Sequence, residues 1–193
     1  MSDLQIPEKV KTWKIGPGPG NIQSWNNYTD NNGAYLFCET NGKYLTYKKV
    51  PLGINLDFIS DSKVYKTHFR LPDGTERDIL SGESVALGIG GGEAFLRYAD
   101  RTAGINLEWS NSPVFEWRLF GGQSGTPIAY DSLIAIVNDK VEPALDFLVY
   151  FDRLPGMGDV GWTSSPDFWD KVGDLAEKEL VDAAKVALLA AFA

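Results

Sequence analysis

Histidine and cysteine occur once each in 193 residues, as His68 and Cys38. A lone cysteine forms no intrachain disulfide, so small secreted scaffolds held by cystines are excluded and a reducing compartment fits. Neither residue has a partner at metal-ligand spacing, and no loop sets carboxylates at the alternating positions of an all-oxygen calcium site. The sequence therefore predicts no metal and no cofactor. Positive charge is also short: 18 Lys and Arg against 26 Asp and Glu leave a formal net charge of −8. That sign opposes capture of nucleic acid or of an anionic membrane surface, and neither is expected as a partner. No apolar run is long enough to span a bilayer, and Met1-Ser2-Asp3-Leu4-Gln5 lacks the basic and apolar regions of a signal peptide. The expectation is a soluble cytoplasmic protein, with non-classical secretion as the other route. Asn27-Tyr28-Thr29 fits a glycosylation acceptor, but that acceptor needs a secretory signal.

What the chain does have is glycine, proline and aromatic side chains, with short apolar runs between turn signals. This points to an all-β chain, long enough for one domain with its own core. The runs repeat at a spacing of about fifty residues. Tyr44-Leu45-Thr46-Tyr47 recurs as Phe95-Leu96-Arg97-Tyr98 and as Phe147-Leu148-Val149-Tyr150. Each copy runs on to a glycine, Gly53, Gly104 and Gly156, and then to Phe58, Trp109 and Trp162. An alternating strand precedes each: Ala34-Tyr35-Leu36-Phe37, Val85-Ala86-Leu87-Gly88 and Ile134-Ala135-Ile136-Val137. The turns between them include Asn41-Gly42 and Gly90-Gly91-Gly92, which supply the positive φ that tight hairpins need. Before these lie Thr12-Trp13-Lys14-Ile15, His68-Phe69-Arg70-Leu71 and Glu116-Trp117-Arg118-Leu119, aligned so that His68 shares a position with Thr12 and Glu116 and is expected at the surface.

Twelve strands in three four-strand units, about residues 10–65, 66–114 and 115–164, resemble the β-trefoil superfamily, with a propeller needing more units and a solenoid shorter ones. Gly42-Lys43-Tyr44-Leu45 is most similar to the hairpin start of fascin-like trefoils. The resemblance implies a β-trefoil domain over 1–164 and a scaffold that binds carbohydrate or protein. The Gln-x-Trp signature of ricin-type sugar-binding trefoils is missing, and the cystines of Kunitz-type inhibitors are impossible.

Over 165–193 the sequence predicts an amphipathic helix, capped by Ser165-Pro166-Asp167 and striped by Trp169, Val172, Ala176, Leu180, Ala183 and Ala187. It is expected to pack on the domain or extend from it, with Leu188, Leu189 and Phe192 as a route to a homodimer.

Three classes of function are open to the residues. The first is a non-enzymatic, lectin-like module binding carbohydrate at the hairpin tips. There Asp100-Arg101 and Asp152-Arg153, beside Asn106 or Asp159 and near Trp109 or Trp162, supply acceptors, a guanidinium fork and a stacking face. The same residues also read as salt-linked turns and inward-facing core. The second is a protein-binding module, either a protease inhibitor using residues 17–29 or 121–127 or a fascin-like cytoskeletal binder. The third is a hydrolase using a carboxylate pair such as Glu108 and Asp159. The runs at Gly16–Gly20 and Gly88–Gly92 are turns, since a phosphate cradle needs a helix N-terminus after it.

Overall fold

A computed structural model of the chain describes residues 6, 8–26, 33–49, 54–60, 64–90, 94–101, 105–141, 146–154 and 157–163; for 146, 151–154 and 157–159 the backbone alone is described. After a 3₁₀ turn at Glu8–Val10 come twelve strands, and among the described residues there is no α-helix. They are β1 (Trp13–Gly16), β2 (Tyr35–Cys38), β3 (Lys43–Tyr47), β4 (Leu56–Ile59), β5 (Thr67–Arg70) and β6 (Ser84–Ile89), then β7 (Phe95–Tyr98), β8 (Leu107–Ser110), β9 (Trp117–Phe120), β10 (Ala135–Asn138), β11 (Asp146–Leu154) and β12 (Met157–Thr163). Alternation is kept in β1 and β2, which send Trp13 and Ile15, Leu36 and Cys38 into the core, whereas β9 and β10 are buried at every position and so on both faces. The Asn41-Gly42 turn forms as expected, with Gly42 at φ 66° and the Lys43 amide donating to the Asn41 Oδ1 at 3.0 Å.

The β-trefoil expected from the repeat is not what the hydrogen bonds build. The strands form two antiparallel sheets, one of four strands in the order β1-β2-β3-β4 and one of eight holding β5 to β12. The second and third units fuse because β6 is longer than its counterparts β2 and β10. Its last residues pair with β5, while Ser84 and Val85 overhang that strand and pair with Arg118 and Trp117 of β9. Among the described residues the first unit's strand pairing to the others is limited to isolated bridges, such as Trp13 to Ile134 and Ala34 to Thr67. The helix expected over 165–193, with its dimerisation face, lies outside the described residues.

Those bridges also correct the alignment of the units. Trp13 faces Ile134, Thr67 faces Ala34 and Trp117 pairs toward Val85, so the counterpart of the two tryptophans is Thr67, not Phe69. Within the units the pairing agrees: Trp13 opposes Cys38, Trp117 opposes Asn138 and Thr67 opposes Ile89. His68 thus stands where the other units have Lys14 and Arg118. It is fully buried rather than at the surface.

What remains of the threefold pattern is carried by side chains and loops. Leu45, Leu96 and Leu148 are at most 1% exposed and belong to one core cluster. The tyrosines two residues on are half-buried at its rim, each packed on the fourth-strand aromatic ring of another unit. Tyr47 meets Trp109 at 5.5 Å, Tyr98 meets Trp162 at 6.5 Å, and Tyr150 meets Phe58 at 5.2 Å, which closes a ring of contacts. The Trp13 indole donates to the Leu148 carbonyl at 2.6 Å, and that of Trp117 to the Leu96 carbonyl at 2.7 Å. Three loops close a second ring: the Ile22 amide donates to the Ile128 carbonyl, the Ile128 amide to Ile79 and the Ile79 amide to Ile22, at 2.8, 3.1 and 2.9 Å. All three isoleucines are buried. A backbone group so enclosed must be bonded, since leaving it unpaired costs about 1–3 kcal/mol.

Candidate functional site

The residues the sequence singles out flank the hairpin tips, and in the first two units the arms beside those tips are braced alike. Past Tyr98 the chain leaves β7 and returns at Ile105, where the Ala99 amide donates to the Asn106 carbonyl at 3.2 Å. The Asn106 side chain then bridges the two arms. Its Nδ2 donates to the Tyr98 hydroxyl at 3.3 Å, and its Oδ1 accepts from the Arg101 amide at 3.2 Å. In the first unit Asn55 repeats this, with its Nδ2 3.5 Å from the Tyr47 hydroxyl and the Lys48 amide donating to its carbonyl. An asparagine amide and a tyrosine hydroxyl thus tie the two arms of each hairpin, and Asn106 is occupied by the fold.

Arg101 and Asp100 are both exposed at this tip, but they form no ion pair. Arg101 turns back, its guanidinium donating to the Leu107 carbonyl at 3.1 Å. Asp100 meets no cation among the described residues. Trp109 and Trp162 are half-buried in the inter-unit ring, and Trp162 also stacks on Trp117 at 6.0 Å, so the sequence-derived stacking faces are largely spent on packing. Asp152, Arg153 and Asp159 are placed by backbone alone in the β11–β12 hairpin, where Phe151 opposes Asp159 and Asp152 opposes Gly158. Their side chains lie outside the described residues. The structure therefore brings Asp100, Arg101 and Asn106 together and assigns Trp109 and Trp162 to the frame.

Comparison with known protein families, with curated proteins and with solved structures finds no match. The chemistry of this chain rests on its own residues.

Among the described residues no group of three or more His, Cys, Asp and Glu could hold a metal ion, and no helix is long and apolar enough to cross a membrane. Glu108, offered above as an acid or base, is ion-paired to Arg97 on the adjoining strand. The loops offered as inhibitor loops are tied down where they are described. Asn21 and Gln23 both donate side-chain amides to the Asp78 carboxylate, Ile22 is buried in the loop ring, and in 121–127 the Gly121 amide donates to the Ser81 hydroxyl at 3.1 Å.

The polar groups that the sequence reading missed lie between the strands. Arg118 donates through Nε to both oxygens of Asp139, at 3.0 and 2.8 Å, and through Nη1 to the Gly82 carbonyl at 2.8 Å. Burial raises the Asp139 pKa, and the Arg118 charge opposes that rise. Glu116, buried beside them, accepts from the Asn138 amide at 2.9 Å and from the Tyr98 backbone. In the first unit the equivalent pair is Lys14 with Glu39. The recurrence of a base in strand one and an acid just past strand two was visible in the sequence, but nothing local links the two. In the second unit these slots hold His68 and Gly90. His68 is opposite Gly88, where any Cβ would overlap its ring, and its edge meets Phe95 at 5.3 Å. Burial first, and then the Arg70 charge, lower its pKa to about 4, so it is neutral at pH 7.

Proposed function

We propose that this chain is a non-enzymatic binding module whose hairpin tips recognise carbohydrate. One observation carries the reading: Asn106 braces the two arms of the second unit's hairpin, beside the exposed Asp100 and Arg101. Braced arms lose little entropy on binding, and a carboxylate beside a guanidinium offers both the acceptor and the donors that sugar hydroxyls use. The third unit repeats Asp-Arg in sequence at Asp152 and Arg153, which supports a second site and a gain from avidity.

A protein partner is the second reading, and the inward turn of Trp109 and Trp162 favours it, because sugar binding draws much of its energy from an open aromatic face. A cytoskeletal partner of the fascin-like kind falls within this reading. Glycan-array binding of the wild type beside Asp100→Ala and Asp152→Ala separates the two. The carbohydrate reading expects a saturable glycan signal that each substitution weakens and the pair abolishes. No signal at high micromolar protein, with capture of a protein partner that survives deglycosylation, rejects it.

A further inference from the structure

We propose that Arg70 is an anion-binding residue that takes the carboxylate group of a small-molecule ligand. In the first and third units the cation of strand one is neutralised from within the unit, Lys14 by Glu39 and Arg118 by Asp139. In the second unit the cation's slot is filled by His68 and the acid's slot by Gly90, at φ 97°. The positive charge has moved two residues along β5 to Arg70. Directly opposite Arg70 on β6 is Ala86, and on the diagonals are Gly88, which has no side chain, and Ser84, whose hydroxyl donates to the Phe115 carbonyl. No carboxylate or carbonyl among the described residues accepts from this guanidinium.

The guanidinium is nevertheless held in place. It lies 5.0 Å from the centre of the Phe95 ring, which is itself buried, so its orientation is fixed by a cation–π contact rather than by an ion pair. Its Nε is enclosed without a hydrogen-bond partner, and the side chain is only half-exposed, so water does not fully solvate the charge. Every other arginine whose side chain is described donates to a carboxylate or a carbonyl: Arg77 to Glu83, Arg97 to Glu108, Arg101 to Leu107 and Arg118 to Asp139. A partly desolvated, oriented guanidinium with its terminal amino groups toward solvent suits a planar carboxylate, which receives two parallel N–H donors. Bulk chloride lacks that geometry.

Titration of the full-length ¹⁵N-labelled protein with sodium acetate, against sodium chloride at matched ionic strength, tests this at the arginine Nε–Hε resonances. A saturable shift of the Arg70 resonance is expected with acetate, its midpoint about tenfold below that of the exposed Arg101, and with no such response to chloride. Arg70→Gln should remove the response and leave the Arg101 shift unchanged. Arg70→Lys, which keeps the charge and loses the planar fork, should weaken it, and it serves if the glutamine variant does not fold. Equal responses to acetate and chloride, or the same midpoint at both arginines, would overturn the proposal.

Discussion

His68 shows how far one residue can be read. Its neighbours in sequence, an aromatic residue and then a base, invite alignment with Trp13-Lys14 and Trp117-Arg118, and that alignment puts it at the surface. The pairing slips this by two, placing Thr67 under the tryptophans and His68 in a slot otherwise filled by a charged base. A repeat found by similarity favours the look-alike, and only the partner strands reveal the shift. The consequence can be measured. His68 has a folded pKa of about 4 against an ordinary value of 6.5, so the unfolded chain takes up its proton first. Its contribution is complete above pH 6.5 and is lost as pH falls toward 4, amounting to about 3 kcal/mol across that window. Urea denaturation at pH 7 and at pH 4.5 should show the wild type losing markedly more stability than His68→Gln. Equal losses in the two proteins would mean that His68 is not buried neutral.

At the scale of the strand and hairpin, much was legible, because alternation and Asn-Gly turns are local properties that a sequence displays directly. All twelve strands overlap the segments of the repeat. What was not legible is which strands share a sheet. Two extra residues at the start of β6 decide that, and Ser84-Val85 gives no sign by itself of pairing with β9 rather than ending in a turn. The hairpin tips were half legible: Asn106 and Arg101 do meet, but as a brace within the turn, and whether Trp109 faced solvent or core depended on Tyr47 of another unit. The register of β7 is tested by two substitutions. Leu96 is completely buried, so Leu96→Ala removes core methyl groups and is expected to cost about 2–5 kcal/mol. Arg97 points the other way, to an exposed ion pair with Glu108, so Arg97→Ala should cost less than about 1 kcal/mol. Leu45→Ala and Leu148→Ala should match Leu96→Ala, their burial being the same. Chemical denaturation that found Arg97→Ala as costly as Leu96→Ala would contradict the register.

At the scale of the whole molecule, the sheets divide the chain unevenly, four strands against eight, while the contacts that cross between units are cyclic. Tyrosine on aromatic, indole on leucine carbonyl and isoleucine amide on isoleucine carbonyl each link one unit to another, although Thr67 leaves the indole set incomplete. None of these links could be read from the chain, since Ile22, Ile79 and Ile128 sit in loops of different length and composition with no shared motif around them. Their closure would make the three units one cooperative structure and hold the hairpin arms in a common frame, which the proposed binding role requires. Native-state hydrogen exchange at those three amides tests the closure most directly, because each is donated across a different unit boundary. The three amides should exchange only by global unfolding, with opening free energies that agree with one another and with the denaturation value to within about 1 kcal/mol. If the Ile22 amide exchanged at least tenfold faster than those of Ile79 and Ile128, the four-stranded sheet would be opening on its own, and the ring joining the units would not exist.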